Sequence, residues 1–451
     1  NHHRYGDFKP YLLKTSDGGK TWKSISATLP ERGSVYSIAE DHVNKNLLFV
    51  GTEFGLFVSI DGGEKWIQLK AGLPTIAVKD LEIQKRENDL ILATFGRGFY
   101  VLDDYTPLRH LKKEDLDKQA VIFPVKDAWM FIESKPLGVR GKGFQGESFF
   151  TTPNPKVGAV FTYYLKDDIK TIKEKRRSAE AEKIKKGEAP TYPSPDSLRL
   201  EDEQAAPHLL FTVTDESGNV VRRLKAPAKK GLKRIVWDFR TSPFGPIDFT
   251  TFDESFAFSS PDQGYFALPG TYKVSLSKFE DGVYTDLTEP QSFKAMTLNT
   301  ATLPATDKKA LDDFSKKIGE LSRVVAATDQ YRGELVNKVR YLKQAVIETP
   351  KQSLDLSKAL QDVEKRLNAV NRQMNGDASV ARREFETTPS INGRIGYVIG
   401  SLWNTTAAPT QTQLNSYQIA AKQFTPVYNE IKAIATEVKR LEDILEKNGA
   451  P

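Results

Sequence analysis

Two copies of one pattern hold the residues best suited to chemistry. Thr15-Ser16-Asp17-Gly18-Gly19-Lys20-Thr21-Trp22 and Ser59-Ile60-Asp61-Gly62-Gly63-Glu64-Lys65-Trp66 both read Ser/Thr-x-Asp-x-Gly-x-x-Trp. Hydrolysis of a glycosidic bond would use two carboxylates roughly 5–10 Å apart, one as acid and one as base or nucleophile. Asp80 and Asp103 are the alternative acidic candidates for that work, and Asp104 follows directly. Sialidase-type chemistry would need an arginine cluster and a tyrosine nucleophile. Arg97 and Arg109 alone do not make such a cluster. Spacing inside the two copies argues for a structural task instead. An aspartate so placed accepts hydrogen bonds from its own turn's backbone. The glycines take angles other residues resist, and the tryptophan fills the gap between neighbouring sheets. Thr15, Asp17, Gly19, Trp22, Ser59, Asp61, Gly63 and Trp66 are therefore read as turn locks, and no catalytic residue is assigned.

The elements that must hold these turns form a repeat. The aspartates lie 44 residues apart, from 17 to 61, about the length of one four-stranded propeller blade. A third copy has decayed. Leu90-Ile91-Leu92-Ala93-Thr94 aligns with Leu47-Leu48-Phe49-Val50-Gly51, and Gly98–Leu102 with Gly55–Ser59. Asp104 then meets Tyr105-Thr106-Pro107 where a Gly-Gly turn would stand. Residues 1–112 thus read as the last two to three blades of a β-propeller. A ring needs at least four blades. The remaining blades are expected upstream in the gene or on another chain, and an export signal upstream of Asn1.

From Ala120 the pattern becomes short alternating strands with turn signals, including His208–Asp215, Gly231–Arg240 and Leu268–Leu276. This predicts an immunoglobulin-like sandwich over 113–300, interrupted by a charged helical insertion at about 167–205. Trp237 and Tyr272 read as core and turn-locking residues. From Thr306 the period becomes 3.6, with apolar stripes such as Leu311, Phe314, Ile318, Leu321 and Val325. Helices to about Glu348, from about Ser353 to Asn375, near Arg394–Leu402 and from Thr410 to Lys447 predict an antiparallel bundle over 301–451. The fold class is multidomain: partial β-propeller blades, a β-sandwich and an α-helical bundle.

Composition removes other chemistries. The chain has no cysteine, so thiolate nucleophiles, thiolate metal sites and disulfides are excluded. Its five histidines show no metal-ligand spacing, and neither a metal nor a cofactor is expected. The net charge of +6 is small for 451 residues. The basic run Lys173–Lys186 is interleaved with Glu174, Glu180 and Glu182 and lacks aromatics, which reads as a solvated helix rather than a nucleic-acid surface. No apolar run has the ~18–20 residues of a membrane span.

With the two turns, the Gly96–Arg109 segment and Gly231-Leu-x-Arg-x-x-Trp-Asp238 in view, the chain resembles the bacterial sortilin-like Asp-box (BNR) propeller proteins, often labelled glycosyl hydrolases. The resemblance covers nearly the whole chain from Tyr11. It implies an N-terminal propeller, a sandwich similar to the Ig-like domain of flagellar hook-cap proteins, a C-terminal helical region, and export to the periplasm or cell surface. Family members commonly carry a histidine before the Gly-Arg; here that position is Phe95. The function expected is a non-catalytic binding or assembly component, completed by further blades and docking to envelope proteins. The alternatives are a propeller glycoside hydrolase and a peptide-binding receptor.

Overall fold

A computed structural model describes residues 2–70, 72–133, 152–247, 249, 263–351 and 354–451. Strands β1 (Leu13–Lys14) and β2 (Lys23–Ser24) flank the first turn as a hairpin. β3 (Val35–Glu40), β4 (Leu48–Thr52), β5 (Gly55–Ser59) and β6 (Ile67–Leu69) form a four-stranded antiparallel meander. β7 (Val78–Gln84), β8 (Asp89–Thr94) and β9 (Phe99–Leu102) form a three-stranded one, followed by helix α1 (Thr106–His110).

Period-2 alternation explains how these sheets stack. On the second sheet Leu48, Val50 and Phe57 join Trp66 in a core with Leu12, Ile25 and Leu29 beside the first hairpin. Their alternates Phe49, Leu56 and Val58 join Leu81, Ile83, Leu90 and Leu92 of the third sheet. Strand register corrects one sequence alignment. Val58 and Val101 are equivalent, and they pair with Phe49 and Ile91 respectively. Ile91 is therefore the counterpart of Phe49, not of Leu48. The turn before Gly98 is longer by one residue, and a one-residue slip exchanges the two faces.

The middle region has two sheets over a shared core. One orders β10 (Ala120–Ile122), β12 (Ala159–Leu165) and β15 (Gly231–Trp237). The other orders β11 (Ala128–Met130), β18 (Gln291–Thr297), β16 (Gly270–Glu280), β13 (His208–Thr214) and β14 (Val220–Pro227), with β17 (Val283–Asp286) also on β16. Phe161, Tyr163 and Trp237 of the first meet Phe211, Val274 and Phe293 of the second. Trp237 is fully buried and its indole N–H donates to the Arg240 carbonyl at 2.9 Å. The Tyr272 hydroxyl donates to the Leu268 carbonyl four residues back. The insertion carries α2 (Ile172–Lys185) and α3 (Pro195–Glu203). The proline-rich stretch thus starts a second helix: Ser194 caps it and Pro195 occupies its first turn.

Four helices share the last core: α4 (Lys308–Glu348), α5 (Leu356–Asn375), α7 (Ile391–Leu402) and α8 (Gln411–Lys447), with the short α6 (Ala378–Ala381) between α5 and α7. The expected start near Ser353 lies outside the described residues. Lys343–Glu364 at 2.5 Å and the Asn375–Asp329 hydrogen bond at 3.2 Å run α5 antiparallel to α4. Lys338–Glu442 at 2.8 Å and the Phe314–Tyr417 ring contact at 5.7 Å run α8 parallel to α4. The bundle is thus not antiparallel throughout. α7 supplies the extra reversal, with Gln413 of α8 bonded to Ser401 of α7 at 2.8 Å.

The regions touch through specific groups. Arg234 donates to the Asp103 carbonyl at 2.7 Å and to the Asp104 carbonyl at 2.5 Å. Buried Arg240 donates to the Trp403 carbonyl of the bundle at 3.1 Å. Gly319 of α4 seats Phe244, where a Cβ would stand 2.8 Å from the ring.

Candidate functional site

Both Asp turns close in the same way. Thr15 donates to Asp17 at 2.9 Å, and Asp17 also accepts from the Thr21 amide at 2.9 Å and its hydroxyl at 2.7 Å. Ser59 donates to Asp61 at 2.6 Å, and the Lys65 amide at 3.0 Å. The Gly19 and Gly63 amides each donate to the preceding hydroxyl at 2.9 Å. Thr21's amide and hydroxyl, then Thr15, hold Asp17 down to about 2. Burial opposes ionisation of Asp61, yet Ser59 and the Lys65 and Glu64 amides keep it below the ordinary carboxylate range. Acceptors held this way are poor proton donors at neutral pH.

The two tryptophans part company. Trp66 is 5% exposed and donates to the Ile25 carbonyl at 2.7 Å, closing the gap to the first hairpin. Trp22 is 59% exposed and folds back on its own turn, donating to Gly19 at 3.1 Å. Trp22 lacks the neighbour that Trp66 has: among the described residues no hairpin stands beside it as the first one stands beside Trp66.

Asp80 and Asp103 do not meet. Asp80 is exposed opposite Ala93, with an oxygen 2.9 Å from the Leu81 amide. Asp103 follows Leu102, which pairs with Leu90 at the other end of β8. Those partners lie three residue steps apart along β8, about 10 Å at roughly 3.3 Å each. Asp103 lines a cavity of about 420 Å³ between the third sheet and the sandwich, with Asp89, Trp129 and Arg234. Burial and the Asp89 charge raise its pKa, and Arg234 pulls the other way.

Arg109 is already engaged. Its Nε and Nη2 donate to Asp41 at 2.8 and 2.6 Å, and Nη2 also to Asn88 at 2.6 Å. Tyr105 donates to Asp41 at 2.7 Å, and the Asn44 amide at 2.7 Å. Asp41 is 1% exposed. Burial works against its charge, but Arg109 and Tyr105 bring it down to about 2. This clasp ties α1 to the end of β3 and takes Arg109 out of any substrate site. Asp41 was missed from sequence; its only signal is the Asp-x-x-Asn turn spacing at 41–44. Among the described residues, no group of three His, Cys, Asp or Glu could hold a metal ion. No described helix is long and apolar enough to cross a membrane.

No family model and no curated protein matches the chain. Among solved structures, an ancestral GH74 enzyme is similar at 23% identity and TM-score 0.18, covering 20% of this chain and 11% of that one. The extracellular domain of a one-component system protein from B. thetaiotaomicron is similar at 12% identity and TM-score 0.18, covering 64% and 28%. PorZ, a surface component of the type-IX secretion system of Porphyromonas gingivalis, is similar at 12% identity and TM-score 0.14, covering 58% and 30%. The chain spans less than a third of each of these chains.

Proposed function

We propose that this chain is a non-catalytic binding or assembly part of an exported, sortilin-like Asp-box propeller protein. In this reading residues 1–112 are successive blades, 113–300 an Ig-like sandwich with its helical insertion, and 301–451 a helical bundle. One observation carries it. Phe49, Leu56 and Val58 are buried between two sheets, while their counterparts Ile91, Phe99 and Val101 face outward, with Phe99 76% and Val101 53% exposed. Among the described residues the third sheet also has three strands where the second has four, and β9 pairs only with β8. A face and an edge of this kind call for a further sheet, supplied by the same gene product or by another chain. The Tyr272–Leu268 hydrogen bond supports the Ig-like label, being the tyrosine-corner device of such sandwiches.

The supporting experiment is isolation of the protein from its native source. A stable complex with other envelope proteins, weakened by Phe99→Asp, supports the reading. The rival is a glycoside hydrolase, favoured by the raised pKa of Asp103 beside a cavity. Turnover on a panel of glycans, lost on Asp103→Asn or Asp80→Asn, would reverse the choice.

A further inference from the structure

We propose that the turn end of the N-terminal sheets, opposite the Asp turns, is a docking site for an acidic, extended segment of a partner protein. The proposal rests on the protein-docking reading above. Two matched bulges build the site. In β3 the register passes from Val35–Thr52 to Ser37–Gly51, leaving Tyr36 as the extra residue. In β7 it passes from Val78–Thr94 to Asp80–Ala93, leaving Lys79 extra. An extra residue breaks the alternation of faces and re-aims its side chain, a device common beside functional sites. The two re-aimed side chains meet, with the Lys79 ammonium 3.5 Å from the Tyr36 ring centroid and 5.7 Å from that of Phe95.

Phe95 is 71% exposed on a backbone that is held in place. Its amide donates to the Ala77 carbonyl at 2.9 Å, and the Thr94 hydroxyl beside it donates to Gly98 at 2.7 Å. Gly96 and Gly98 give the turn its positive φ angles of 81° and 68°. Arg97, exposed between them, adds a second cation. Among the described residues neither Lys79 nor Arg97 has a carboxylate partner, and the adjacent Asp80 faces its neighbour's amide. An exposed aromatic on a fixed backbone beside two uncompensated cations matches a carboxylate-bearing partner.

One feature favours a protein segment over an acidic glycan: among the described residues β7 pairs only with β8, so its other edge offers main-chain groups to an extended chain beside Lys79.

The test is fluorescence anisotropy of the 1–451 chain with a short labelled peptide alternating Glu and Val. A Lys-Val peptide and polygalacturonate serve as the other arms. Binding of the Glu peptide, weakened by salt and at least about tenfold weaker in Lys79→Gln and Phe95→Ala, is expected. Both side chains are exposed, so unchanged thermal melts will show the variants folded. No binding of the Glu peptide, equal binding by Lys79→Gln, or preference for polygalacturonate would overturn the site. Glycan turnover would instead sink the docking reading itself, so the two failures are distinguishable.

Discussion

The second and third sheets begin from nearly the same repeat and end in different surroundings. Every residue of β4 and β5 is buried, because the second sheet is covered on both faces. In β9 exposed residues alternate with half-buried ones, because the third sheet is covered on one. The third sheet also loses its outer strand. Asp104, at φ 42°, starts a turn into α1, and the Asp41–Arg109 clasp holds α1 there. Burial here is decided by what stands beside a sheet, not by residue type. Phe99 is more apolar than most surface residues need be, and its position is the one a further sheet would cover.

The sharpest way to break this comparison is to cut equivalent positions. Phe49→Ala should cost about 3–5 kcal/mol in denaturant melts, since it empties a core on a fully buried side chain. Ile91→Ala, at the equivalent position of the third sheet, should cost under about 1.5 kcal/mol; equal losses would erase the distinction. Next, Asp41→Asn should cost about 3 kcal/mol by leaving Arg109 buried without its counter-charge. A loss below about 1 kcal/mol would mean that the clasp does not hold α1. Smaller still is the tryptophan pair. Trp66→Phe removes a buried indole bond worth about 1–2 kcal/mol, whereas Trp22→Phe should stay within about 0.5 kcal/mol.

The gentlest test is pH. The folded-state pKa of Asp41, about 2, lies below its unfolded value. Its contribution is therefore complete above the ordinary carboxylate pKa near ~4 and fades as pH falls toward 2. Melting temperature should hold from pH 7 to about 5 and decline below, with a smaller decline in Asp41→Asn.

Much of this was legible in sequence because it is local. The Asp turns announce themselves through Gly-Gly and Trp at fixed offsets, and the bundle through long apolar stripes. What depends on distant partners was not legible. Asp41 and Arg109 are 68 residues apart and meet only once two sheets stack. The register of β8 hinged on one added turn residue, which a string alignment absorbs without notice. Trp22 and Trp66 share a motif, yet only the hairpin beside Trp66 separates their burial. Tyr36 and Lys79 look like ordinary strand residues until the bulges turn them.

The central claim, that the outward side of the third sheet is an interface, is most directly tested by hydrogen exchange at the β9 amides. Those amides of Phe99–Leu102 that point away from β8 should exchange fast in the isolated 1–451 chain and slowly in the protein isolated with its native partners. Equal exchange in both states would mean that nothing covers this sheet, and would contradict the account.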